Sequence, residues 1–255
     1  MKEYYHKFGS PKYFYELTSK ILPWVAVPAA LCLLVGTVWG LGFAPADYQQ
    51  GNSFRIIYIH VPAASLAMSV YVIMAVAGAI GLIWKMKMAD MVAKSAAPIG
   101  AAFTFLALVT GAIWGKPTWG TWWVWDARLT SMLVMLFLYM GIISLQASFE
   151  SATAAAKASA VLAIVGLVNL HIIKYSVNWW NTLHQPATFT ITDKPSMPPE
   201  MFIPLIVMII GYYLFFATLL MMVTRCEILE RESRSRWVGQ VLLTQSLKTQ
   251  SLKTK

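Results

Sequence analysis

The chain has 255 residues, 58% of them hydrophobic and 12% charged, with a net charge of +9 and a mean hydropathy of +0.60. Soluble domains carry about 25% charged residues. Soluble-enzyme and nucleic-acid-binding classes therefore fall behind an all-α integral membrane protein.

Residues 1–20 interleave Tyr4, Tyr5, Phe8, Tyr13 and Phe14 with Lys2, Lys7, Lys12 and Lys20. This stretch lacks the early apolar core and small-residue cleavage site of a signal peptide. It reads as a cytoplasmic, interfacial lead-in to a first span. Six apolar runs follow, at 21–43, 56–84, 91–115, 129–149, 158–177 and 202–224. They come near or above the roughly 20 residues that a membrane-crossing helix needs. The second, Ile56 to Trp84, is long enough to tilt or to project beyond the lipid. The fifth is the weakest, because Asn169, His171 and Lys174 interrupt one end. Residues 225–255 form a basic tail ending in the repetitive TQSLKTQSLKTK, expected to be partly disordered. The domain division is thus 1–20, 21–224 and 225–255. Cys32 lies within the first span and Cys226 at the inner end of the sixth, so neither a disulfide framework nor a thiolate metal site is expected.

Of the 20 Lys and Arg residues, 15 fall in the N-terminal segment, in 85–94, at Lys157 and in the tail. The other five are Arg55, Lys116, Arg128, Lys174 and Lys194. Basic residues accumulate on the cytoplasmic side. Both termini are therefore expected inside, and the connections 44–55, 116–128 and 178–201 outside.

The middle outer connection reads W-G-T-W-W-V-W-D-A-R-L-T-S over 119–131, and Trp114 precedes it. Five of the chain's 11 tryptophans lie there. Their spacing fits neither a helical stripe nor a strand face, and suits an irregular segment presenting rings in several directions. An aromatic belt at the bilayer interface accounts for Trp39, Trp84, Trp179 and Trp180. Five indoles in one loop are denser than a belt requires.

Among the four histidines, His6 reads as a solvated surface residue and His171 as a packing or hydrogen-bonding side chain. His60, in R-I-I-Y-I-H-V-P, stands one turn into the second span, with Pro62 tolerable so near a helix start. His184, in N-W-W-N-T-L-H-Q-P, follows the fifth span. Both are expected at similar depth on the outer face, where an ionisable side chain marks a functional site. Two imidazoles without neighbouring carboxylates or thiols are few for zinc. They suffice for the axial positions of haem iron, whose porphyrin supplies the other four nitrogens. Haem is a flat, apolar disc on which indoles can stack and exclude water. Its two propionates call for cations, and Arg55, Arg128 and Lys116 are the candidates, arginine having the better geometry for a carboxylate. Asp126 either pairs with Arg128 or holds an indole N–H.

This WGTWWVWDARLTS stretch resembles the WWD signature of haem-handling proteins in bacterial and organellar cytochrome c maturation. Six spans, one such loop between spans three and four, and one outer histidine on each side resemble the haem exporter protein C family, over all but the end of the tail. The resemblance implies non-covalent haem b at the periplasmic face of the bacterial inner membrane, with His60 and His184 as axial ligands. It implies a WWD platform of Trp114, Trp119, Trp122, Trp123, Trp125 and Asp126. There haem would meet a membrane-anchored periplasmic chaperone, the pathway's E protein, which bonds haem through its own histidine. It also implies association with an ATP-binding-cassette subunit, a second membrane subunit and a small single-span subunit, which together release the loaded chaperone. The chain itself has no G-x-x-x-x-G-K-[ST] phosphate loop, so the ATPase is another chain. No acid–base or nucleophile pair stands out, which leaves enzyme catalysis and templated delivery both open.

Three competing readings differ in what they require. A permease for haem needs polar or small residues through mid-membrane, for which Ser65, Ser69, Thr104, Thr110, Asn169 and His171 are the candidates. A respiratory membrane anchor needs deep histidines, and only His171 qualifies. A scaffold needs no haem at all.

Overall fold

The computed structural model describes residues 9–180, 182–184 and 197–253; His6, Lys194 and the first part of the lead-in fall outside them. Ser10 opens the first helix, α1 (Pro11–Thr37). Its hydroxyl accepts from the Tyr13 N–H, and Pro11 occupies a first-turn position where no N–H is needed. From Pro11 onward, the lead-in expected over 1–20 is therefore the start of the first long helix. A π-helical turn, Val38–Phe43, continues α1. A 3-10 turn, Asn52–Ile56, then leads into α2 (Ile57–Trp84). The remaining helices are α3 (Lys87–Trp119), α4 (Ala127–Ser148), α5 (Ala152–Trp179), α6 (Pro199–Arg231) and α7 (Arg236–Lys253).

The six apolar runs become six helices long and apolar enough to cross a membrane, and all but the fourth, Ala127–Ser148, extend beyond the hydrophobic stretch by a turn or more at one end or both. Helices suit such segments because their backbone groups are satisfied within the segment itself. The third span outruns its expected end at residue 115. Pro117 keeps a helix-compatible φ, and the Thr118 hydroxyl returns to the carbonyls of Trp114 and Gly115. Trp114 and Trp119 are thus helical, and only Trp122, Trp123 and Trp125 belong to the loop. Gly120, at φ +79°, ends the helix in the left-handed conformation that favours glycine.

Helix α2 sits at the centre, against α3, α5 and α6, while α1 leans mainly on α6. Small residues make the close approaches. Tyr139 of α4 lies where a side chain at Gly100 would stand, and its hydroxyl donates to the Ala67 carbonyl of α2 at 2.8 Å. Such small-residue contacts and interhelical hydrogen bonds replace the hydrophobic effect where lipid is the solvent. The core they build includes Leu66, Val70, Tyr71, Met135 and Leu205, all buried.

One end of the bundle is tied by charge. Glu227 of α6, largely buried, receives Lys94 of α3 at 2.7 Å and Arg231 one turn away. Tyr15 of α1 packs on Trp237 of α7, with the Arg225 guanidinium 4.5 Å from its ring centre. Composition predicts partial disorder in the tail, whereas the structure makes a helix of Arg236–Lys253. Trp237 and the buried Val238 anchor its start, while Leu242, Leu243 and Leu247 stay exposed.

Candidate functional site

At the opposite end, the connections after α1, α3 and α5 come together over a cavity of about 380 Å³ between α2, α3 and α4. That volume falls within the range of small-molecule sites. Val61, Ala64 and Met68 of α2, Leu108 of α3, Met132 of α4 and Leu205 of α6 make it apolar below. His60, Ala64 and Met68 repeat every fourth residue, so one face of α2 follows the cavity for about 12 Å of helix.

His60 and His184 both line this cavity, though one comes from α2 and the other from beyond α5. The His60 ring lies edge-on to Trp114, with centroids 5.7 Å apart, and close against α3 at Gly111. Its Nδ1 is 3.1 Å from the Thr110 hydroxyl oxygen. That hydroxyl has one hydrogen, and it points to the Leu106 carbonyl at 2.7 Å. With the hydrogen on that carbonyl, the imidazole donates from Nδ1 and keeps the lone pair on Nε2, the tautomer a metal ligand through Nε2 requires. A hydrogen bond of this kind behind the ring orients a ligating histidine. His184 packs on the Trp119 ring at 6.0 Å.

The five tryptophans divide. Trp114, Trp119 and Trp123 line the cavity; Trp122 and Trp125 do not, and are 56% and 76% exposed. Trp114 donates its indole N–H to Gln50 at 2.7 Å, drawing the connection after α1 over the cavity. Trp123 Nε1 is buried without a hydrogen-bond partner among the described residues. A buried donor left unpaired costs about 1–3 kcal/mol, so it invites an acceptor from a ligand.

The expected cations also divide. Arg128 lines the cavity and makes no ion pair or hydrogen bond with any described residue. Arg55 turns elsewhere: its two terminal nitrogens donate to the carbonyls of Leu41 and Ala44, at 2.9 and 2.7 Å, closing the π-helical turn. Lys116 is exposed and donates to the Gly120 carbonyl at 3.1 Å. The charge of Asp126 acts on Arg128, although the two form no salt bridge, and its oxygens are engaged elsewhere. One oxygen caps α4 by accepting from the Leu129 N–H at 2.7 Å, and the other accepts the Thr182 hydroxyl. His171 lies outside the cavity, stacked on Tyr175, which stacks in turn on Trp179.

Sequence reasoning missed Gly111, Gln50 and Thr182, and named Thr110 only for a permease path. Each acts by touching a residue far away in the chain, and no local pattern marks them. Among the described residues, no three His, Cys, Asp or Glu side chains gather to hold a bare metal ion. The cavity offers instead two imidazoles, a cation, indole faces and one unpaired indole N–H, a set that suits a flat, anionic, metal-bearing ligand.

The family model described as Heme exporter protein C matches residues 4–239. Heme exporter protein C of Escherichia coli strain K12 is 52% identical over 243 residues, covering 95% of this chain and 98% of that protein. The protein of the same name from Haemophilus influenzae is 48% identical over 248 residues, with 97% and 100% covered. The Bradyrhizobium diazoefficiens protein is 48% identical over 227 residues, with 89% and 86% covered.

Proposed function

The chain belongs to the haem exporter protein C family, and from that membership we propose that it holds haem b at the periplasmic face of the inner membrane and presents it to a periplasmic haem chaperone. The observation that carries this reading is the convergence of His60 and His184, from distant parts of the sequence, on one apolar cavity that also contains Arg128, which forms no salt bridge with any described residue. Haem supplies an iron with four equatorial nitrogens already filled and two carboxylates. His60 offers Nε2 in the required tautomer, and His184 offers the second imidazole. Arg128 pairs with a carboxylate, a role for which its planar fork is suited. Trp123 donates its free N–H to a second acceptor. The apolar walls keep water from the disc. Arg55 and Lys116, bound to carbonyls, are left out of this assignment.

Trp122 and Trp125, exposed beside the cavity, form the surface on which the chaperone docks. Like the rest of its family by the resemblance, the chain works beside an ATP-binding-cassette subunit, a second membrane subunit and a small single-span subunit, which discharge the loaded chaperone.

The alternative of a haem permease draws support from the hydroxyls of Ser65, Ser69 and Tyr213, linked at 3.0 and 2.6 Å just below the site. Against it, the α2 lining runs only from Ile57 to Met68.

The absorption spectrum of the purified protein tests the reading. Wild type should carry six-coordinate, low-spin haem. His60→Ala and His184→Ala should each alter that spectrum, and the double variant should lose most of the haem. A spectrum indifferent to both substitutions refutes the bis-histidine site. Haem uptake by vesicles containing this chain alone would favour the permease.

A further inference from the structure

His184 does not stand on a helix. Helix α5 ends at Trp179, five residues before the histidine. Its backbone N–H donates instead to the Thr182 hydroxyl oxygen at 3.1 Å. The single hydrogen of that hydroxyl goes to Asp126. Asp126 meanwhile caps α4, the helix whose first turn carries Arg128. One carboxylate therefore anchors both the cation and, through Thr182, the second histidine.

We propose that Thr182 is a positioning residue for His184, coupling the histidine to the aspartate of the tryptophan loop. The inference rests on the bis-histidine reading above. Its physical content is that a side chain in an irregular connection holds a metal only as firmly as its backbone is held. Valine matches threonine in shape but can neither accept from His184 nor donate to Asp126. Serine keeps both bonds.

The test uses the full-length, haem-loaded protein. Thr182→Val and Thr182→Ser are made in wild type, in His184→Ala and in His60→Ala. Two quantities are read: the spin-state signature in the visible spectrum, and the rate of haem loss to an apomyoglobin scavenger. Thr182→Val should speed haem loss roughly tenfold, the cost of one hydrogen bond to a charged group, and shift the spectrum toward high spin. Thr182→Ser should restore both. The valine effect should vanish in the His184→Ala background and persist in His60→Ala. In haem-free protein, amide exchange at His184 should quicken in the valine variant.

A valine variant with wild-type spectrum, haem loss and amide exchange overturns the proposal. So does an equal loss in the His184→Ala background, which would place the effect in the fold. If His184→Ala itself leaves the haem spectrum unchanged, the ligand reading fails first and takes this one with it.

Discussion

Gly111→Ala should separate the stability of the fold from the quality of the site. A Cβ at Gly111 would stand 3.0 Å from His60 Cε1 and 3.5 Å from Nδ1. Ordinary contact begins near 3.4 Å, so the ring must give by a few tenths of an ångström. Its Nδ1 is already 3.1 Å from the Thr110 hydroxyl, and such a movement stretches that bond toward its limit. The weakened bond costs up to about 1 kcal/mol, and an off-rotamer ring about 1 kcal/mol more. Together these predict haem binding weaker by roughly 30-fold. The helix itself gains, because alanine in a helix interior is favoured over glycine by about 0.5–1 kcal/mol. Haem titration followed by absorbance, alongside thermal unfolding of the haem-free protein in detergent, measures the two effects separately. The predicted outcome is lower haem affinity with an equal or higher Tm. Undiminished affinity would refute the placement of the His60 ring against α3, and parallel loss of affinity and Tm would show that Gly111 serves the fold.

Arg128→Gln should weaken haem binding by roughly 10- to 100-fold, the range for a lost charge-assisted hydrogen bond, and the deficit should disappear for haem dimethyl ester, which has no carboxylates to pair. An undiminished deficit with the ester would deny Arg128 its propionate. Trp123→Ala should lower haem retention, whereas Trp122→Ala and Trp125→Ala should leave the haem spectrum intact and reduce transfer to the chaperone, measured as covalent haem on that protein. Glu227→Gln should lower the Tm by an amount equivalent to about 2 kcal/mol, since it breaks a largely buried ion pair whose lysine is partly screened by solvent. The haem spectrum should not change, because the pair lies at the other end of the bundle.

Some of this was legible in the sequence because it depends on local facts. A run of about 20 apolar residues becomes a helix in lipid whatever its neighbours do, since its backbone has no other way to satisfy its hydrogen bonds. The six helices therefore appear where the apolar runs are, and their excess length lies in polar residues at the ends, such as Lys12, Glu16 and Lys20 before the first run and Pro117 and Thr118 after the third. The WWD stretch and the two histidines also pointed to their family without coordinates.

Tertiary structure decided which side chains face one another. Arg55 and Arg128 are alike in charge and in expected side, yet one closes a π-helical turn and the other faces the cavity. A guanidinium settles on the nearest unsatisfied carbonyls, and only the fold brings Leu41 and Ala44 within its reach. Similarly, five tryptophans in one short stretch divide into three that line the site and two that face away, because α3 continues to Trp119 and the loop turns there. Sequence by itself determined what this protein is made to hold: apolar helices, two imidazoles and a concentration of indole. Where those groups meet is set by contacts such as Thr110 against His60 and Thr182 against Asp126, between residues far apart in the chain, which no spacing rule encodes.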